Sequence, residues 1–185
     1  SAAKPNRRKT SLTNSVGGKK MRKELEPDME TAEKLYKEVL KLIEEYTDFY
    51  DENGDDEDIE YKKSEAKLKE MTGKDISQYN LFEYWEEEGP EILSFKISLP
   101  EPKVIENITK EELTEIITTL KDRDFENIIG NDFVEEYKYY LDEYYHKLLK
   151  VNFKNYRYEY FNRQKGKDGK YFEYSAKEIM SKIVG

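Results

Sequence analysis

Asp51, Asn53 and Asp55 stand at the first, third and fifth positions of what could be a calcium loop, in the stretch DENGDDEDIE at residues 51–60. An EF-hand also needs a glycine at its sixth position for the sharp turn and a bidentate glutamate at its twelfth. Those positions hold Asp56 and Lys62, so tight calcium binding is not expected. Zinc chemistry lacks ligands, because the chain has one histidine, His146, and no cysteine. A serine–histidine site could use His146, but no GxSxG nucleophile elbow is present, and His146 reads as a partly exposed boundary residue.

Other chemistries fail in similar ways. There is no GxxxxGK[ST] or GxGxxG loop to cradle phosphates, and VGGKK follows no strand. Glu60 and Lys62 have a spacing that suits a metal-dependent nuclease, but they lie in a strongly anionic segment that repels nucleic acid. A glycosidase needs only two carboxylates, but 41 acidic residues give no means of choosing a pair. No catalytic residue, metal site or cofactor is assigned, and the protein is expected not to be an enzyme.

The acidic residues point instead to binding. From Glu44 to Glu60 there are ten Asp or Glu and no Lys or Arg; from Glu83 to Glu91 there are five more, around Tyr84 and Trp85. Aromatic rings anchor interfaces, and surrounding carboxylates steer a basic partner and set its register. The candidate partner-binding residues are Asp51, Asp55, Asp56, Glu57, Asp58 and Glu60, with Glu83, Tyr84, Trp85, Glu86, Glu87 and Glu88. In general character the chain resembles the proteins that neutralise bacterial toxins: small, acidic, cysteine-free and without catalytic motifs. That resemblance implies a cytoplasmic immunity or antitoxin protein that blocks a basic toxin, for example a nuclease. Two other readings stay open. One is a nucleic-acid mimic whose carboxylates imitate phosphates; the other is a scaffold component that grips a neighbour through a basic arm.

The elements that would carry these residues follow from composition and periodicity. Charged residues make up 39% and hydrophobic ones 36%, but 16 Tyr among 185 residues supply an aromatic core. Residues 1–23 hold eight Lys or Arg and no acids, and read as a basic flexible arm. The net charge of −9 therefore leaves −17 on residues 24–185, read as one acidic domain that repels nucleic acid and anionic membrane. No apolar run approaches the roughly 20 residues of a membrane span.

Leu35, Val39, Leu42, Ile43, Tyr46 and Phe49 or Tyr50 recur at three- and four-residue spacing, which predicts a first helix ending near Asn53-Gly54. A second helix is expected up to Gly73 and a short third over LFEYWEEE, ended by Gly89-Pro90. Leu93, Phe95, Ile97 and Leu99 alternate with Ile92, Ser94, Lys96 and Ser98, which predicts a half-buried strand near 92–99, stopped by Pro100. Residues 103–108 suggest a further extended piece.

Thr109 with Glu112 and Ser175 with Glu178 have capping-box spacing and open two helices. Between them a long aromatic helix is expected from Asp132, with Phe133, Tyr137, Tyr140, Leu141, Tyr144, Leu148 and Val151 inward. A hairpin near 155–174 turns at KGKDGK. The fold class is α+β: mostly helical, with a small antiparallel sheet packed on helices.

Overall fold

The computed structural model describes residues 21–81 and 88–185. Its helices are α1 (Met29–Asn53), α2 (Ile59–Thr72), α3 (Gly89–Ser98), α4 (Lys110–Asp122), α5 (Asp132–Tyr137), α6 (Asp142–Asn152) and α7 (Ala176–Val184). The strands β1 (Gln164–Lys165) and β2 (Tyr171–Phe172) form a two-stranded antiparallel ribbon, with Gln164 opposite Phe172 and Lys165 opposite Tyr171. The chain is thus mostly helical α+β, as its composition and periodicity imply.

The local signals act where expected. Asp28 caps α1 by accepting from the Thr31 amide at 3.0 Å. Gly54, with φ +69°, closes that helix, and Gly73, with φ +70°, closes α2. No Cβ obstructs these left-handed conformations. Both capping boxes form: the Thr109 and Ser175 hydroxyls accept from the amides of Glu112 and Glu178, whose carboxylates reach back to the capping residues.

The segment 92–99 is a helix, not a strand. Leu93 and Ile97 lie one helical turn apart, and so do Phe95 and Leu99. The two pairs point about 200° apart around the axis. Leu93 and Ile97 enter a cluster with Val39, Ile43, Leu68, Ile76, Tyr79 and Leu81. Phe95 and Leu99 enter a larger cluster built from Met21, Leu25, Met29 and Ala32, α4, the 125–149 region and α7. Helix α3 therefore lies between two cores, so both of its faces are apolar and its pattern repeats every second residue. Each Leu, Ile or Phe fully buried there contributes about 1.5–3 kcal/mol. Ser94 and Ser98 are also buried; the Ser94 hydroxyl donates to the Pro90 carbonyl at 2.6 Å. Pro90, in the first turn, is a helix-start signal.

Two other expectations change in detail. The aromatic helix is broken into α5 and α6 by a 3-10 turn at Lys138–Tyr140, and the residue that caps α5 is Asn131, one before Asp132. The break lets Tyr137 stack on Phe95 at 4.8 Å, while α6 turns Leu141, Tyr145, Leu148 and Leu149 into the larger core. Tyr140 and Val151, expected inside, are exposed. The hairpin near 155–174 shrinks to two residue pairs, because Tyr158–Phe161 forms a 3-10 turn. Residues 101–105 form neither helix nor strand, and Glu106 and Asn107, with φ +56° at Asn107, form a turn within the piece expected to be extended.

The arm and the body meet earlier than residue 23. Met21 is buried in the larger core, and Arg22 pairs with Glu112 at 2.8 Å while donating to the Glu106 and Asn107 carbonyls. Among the described residues, no helix is long and apolar enough to cross a membrane.

Candidate functional site

The acidic stretch 51–60 forms the tip of a helical hairpin made by α1 and α2. Three rings brace the base of that tip. Tyr46 meets Tyr61 edge-on at 5.5 Å and Tyr50 at 6.3 Å, which ties the end of α1 to the start of α2. Tyr46 is 5% exposed. Burial, assisted by the negative charges of Asp55 and Asp58, pushes its hydroxyl up to about 12.

The tip carboxylates have different tasks. Asp55 is half-buried and accepts from the amides of Glu60 at 3.2 Å and Tyr61 at 2.8 Å. Desolvation raises its carboxyl, but the amides of Tyr61, Glu60 and Ile59 outweigh this and hold it below the ordinary value. Those bonds fix the entry to α2 and occupy the oxygen atoms that a calcium loop would present. Asp58 takes a left-handed conformation, φ +54°, which aspartate tolerates better than most residues.

Glu60 is half-buried and paired with Lys63. Asp51, Glu52, Asp56, Glu57 and Asp58 are exposed and form no ion pair with a described residue. Phe49, 38% exposed, and Ile59, 50% exposed, stand within the same hairpin tip. Sequence periodicity left Phe49 or Tyr50 as the last member of the inner stripe. The structure takes Tyr50, four residues on from Tyr46, and leaves Phe49 off that face.

The second half of the expected surface is separate. Glu83, Tyr84, Trp85, Glu86 and Glu87, with most of the expected third helix, lie outside the described residues. Glu88 is described, and it points inward: it is half-buried and pairs with Lys96. Lys96 also reaches Glu143 at 3.4 Å. The structure therefore does not join Glu88 to the 51–60 tip; it commits Glu88 to an internal ion network.

That network joins three lysines and three glutamates. The ammonium of Lys74 donates to the carbonyls of Lys96 and Leu99, both at 2.7 Å, and pairs with Glu101 at 3.4 Å. Lys147 bridges Glu101 and Glu143, each at 3.3 Å. Burial pulls Lys74 down to about 8, against the pull of Glu101. A lysine shifted this way can be a nucleophile. Here its donors are spent on the C-terminal carbonyls of α3, and the adjoining cavity is only about 20 Å³. The arrangement ties together chain segments and leaves no room for a substrate. No sequence signal marks it, because its members come from residues 74, 88, 96, 101, 143 and 147.

His146 is half-buried, as expected of a boundary residue. Its Nδ1 lies 2.8 Å from the Tyr156 hydroxyl, and the Tyr158 and Phe161 rings lie 4.7 and 4.8 Å from it. Burial lowers its pKa, partly opposed by Asp142, which favours the neutral imidazole. The cluster provides packing and a hydrogen bond rather than a nucleophile–base pair. Among the described residues, no group of three or more His, Asp or Glu is arranged to hold a metal ion.

A cleft of about 720 Å³ runs between residues 23–34 and 100–103. Its walls carry both charge signs, including Asp28, Glu30, Lys34, Glu101 and Lys103. Neither protein-family models nor curated proteins nor solved structures gave a match to this chain.

Proposed function

We propose that this protein is a non-enzymatic binding module that engages a basic protein through the acidic tip of the α1–α2 hairpin. The biological role that fits is that of an immunity or antitoxin protein acting on a basic bacterial toxin. One observation carries the reading: five exposed carboxylates without ion-pair partners among the described residues lie between exposed Phe49 and Ile59 along a hairpin braced by three tyrosines. Unpaired surface charge raises the rate of encounter with an opposite charge, and a braced tip loses little entropy on docking. Apolar side chains among the acids supply the desolvated anchors that affinity needs.

Mimicry of a nucleic acid asks for acids in a long regular array. The acids between Glu30 and Glu45 on α1 are interspersed with Lys34, Lys37 and Lys41, which favours one compact patch instead.

The test is stopped-flow association with the purified product of the neighbouring open reading frame, at two salt concentrations. Asp55 is left intact because it holds the backbone. Replacing Asp51, Asp56 and Glu57 with Lys should slow association about tenfold at low salt and flatten its salt dependence, with little change in stability. An unchanged association rate would reduce the tip to a solvated loop.

A further inference from the structure

The acidic character of the domain is not uniform. Residues 150–185 hold nine Lys or Arg against four Asp or Glu, a net +5, so the −17 of residues 24–185 resolves into −22 over 24–149 and +5 over 150–185. The positive segment includes the 3-10 turn, the β1–β2 ribbon and α7.

Three rings of this segment face outward. Tyr158 is 56%, Tyr171 57% and Phe172 44% exposed. A two-residue ribbon sends neighbouring side chains to opposite faces, so Tyr171 and Phe172 present one ring on each side. The Arg163 guanidinium stacks over Tyr171 at 4.5 Å. On the other side Phe172, Tyr174 and Tyr160 form a row, with ring centres 5.2 and 6.4 Å apart, and the Lys182 ammonium sits 4.4 Å from the Tyr174 ring. Arg157, Arg163, Lys165, Lys167 and Lys170 are exposed and form no ion pair with a described residue.

We infer that this ribbon binds single-stranded nucleic acid along its two sides, with the exposed rings stacking on bases and the unpaired cations meeting phosphates. A positive track interleaved with exposed aromatic rings is the arrangement that holds single strands without sequence preference. A duplex keeps its bases stacked inside and offers the rings nothing to meet. An acidic protein partner would meet the same cations but has no bases to stack on the exposed rings, and the poly-glutamate competitor below separates the two. The anionic remainder of the domain confines a polyanion to this end and makes binding strongly dependent on salt. The inference is independent of the role proposed for the acidic tip.

The experiment is fluorescence anisotropy of the full chain with labelled oligo(dT) and oligo(U), at about 50 mM and about 200 mM salt. Binding is expected at low salt, with a log–log salt slope of about −3 if about four phosphates are neutralised. Tyr171→Ala and Phe172→Ala should each weaken it about tenfold. Both rings are exposed, so both variants should fold. Lys165→Glu with Lys170→Glu should weaken binding further. Residues 1–20 are basic but contain no aromatic ring, so a dependence on Tyr171 and Phe172 assigns the site to the ribbon. Three results would overturn the inference: no binding at low salt, equal binding by the ring variants, or a poly-glutamate peptide that competes as well as the oligonucleotide does.

Discussion

The hairpin tip and the C-terminal ribbon each combine tyrosines with unpaired charge, acidic in one and basic in the other, and arrange the rings in opposite ways. At the tip, Tyr46, Tyr50 and Tyr61 lie against one another between two helices, and the charges face water. In the ribbon, Tyr171 and Phe172 face water alongside the charges. The difference lies in the backbone. A helix gathers residues three or four apart onto one face, which a second helix can cover. A two-residue ribbon sends alternate side chains both ways, and at least one face stays open. Tyrosine accepts either position because it joins an apolar ring to a polar tip. The position of the rings, not the composition, separates a brace from a contact surface.

Alkaline titration should break the inward half of this contrast with the largest effect. Burial pushes Tyr46 and Tyr144 up to about 12, and Tyr79, Tyr137 and Tyr145 higher still, from an ordinary 10.0. Above pH 10 the unfolded chain releases these protons while the folded chain keeps them. Folding is then opposed by up to about 1.4 kcal/mol per pH unit for each tyrosine. Their contribution is complete below pH 10 and is lost as pH rises through the folded values. Urea midpoints measured against pH should fall steeply above pH 10, and the last part of the absorbance of the 16 tyrosines should appear only with unfolding. Absorbance equal to all 16 tyrosinates while the urea midpoint holds would show that the buried rings ionise in place.

Truncation of single rings sharpens the comparison. Tyr46→Ala removes an inward brace and should cost about 3–5 kcal/mol in urea denaturation, in the range of buried aromatic-to-alanine changes. Tyr171→Ala removes an outward ring and should alter stability by no more than about 0.5 kcal/mol. Equal costs would mean that the ribbon is as tightly packed as the hairpin.

The contrast extends to cations. Lys74 is buried and bonded to two carbonyls, whereas the ribbon lysines are exposed. Lys74→Met should cost about 1–3 kcal/mol, because the Lys96 and Leu99 carbonyls lose their donor. Lys74 also has a pH signature. Its value is lowered from 10.5 to about 8, so between those limits the unfolded chain binds more protons than the folded one. Stability from this group therefore rises with pH across that window. The variant should lose that rise, which appears as a flatter urea midpoint between pH 8 and pH 10.

Much of this architecture is visible in the residues themselves. Capping boxes at Thr109 and Ser175 and the glycines at 54 and 73 act through neighbours a few positions away, so local sequence reveals them. Helix α3 escapes such a reading because tertiary surroundings decide it. A helix buried on two sides and a strand buried on one produce the same alternation over eight residues, and Pro90 was the signal that could have separated them. The break at Lys138–Tyr140 carries no comparable mark.

In the acidic stretch, composition reveals the charge but not its division of labour. Asp55 and Asp56 are adjacent, yet only Asp55 is bonded to the backbone of α2. Charge summed over residues 24–185 also conceals the basic C-terminal segment, since a large negative total masks a smaller positive one.

The position of α3 has a consequence for how the molecule comes apart. Leu93 and Ile97 complete one core, and Phe95 and Leu99 the other. Neither core can lose the helix without opening the second. The hairpin half and the C-terminal half thereby share one cooperative unit, and partly unfolded species that keep a single intact core are suppressed. Hydrogen exchange should then show amides of α2 and α4 opening with a common free energy, although Leu68 of α2 packs in one core and Leu113, Ile116 and Ile117 of α4 in the other.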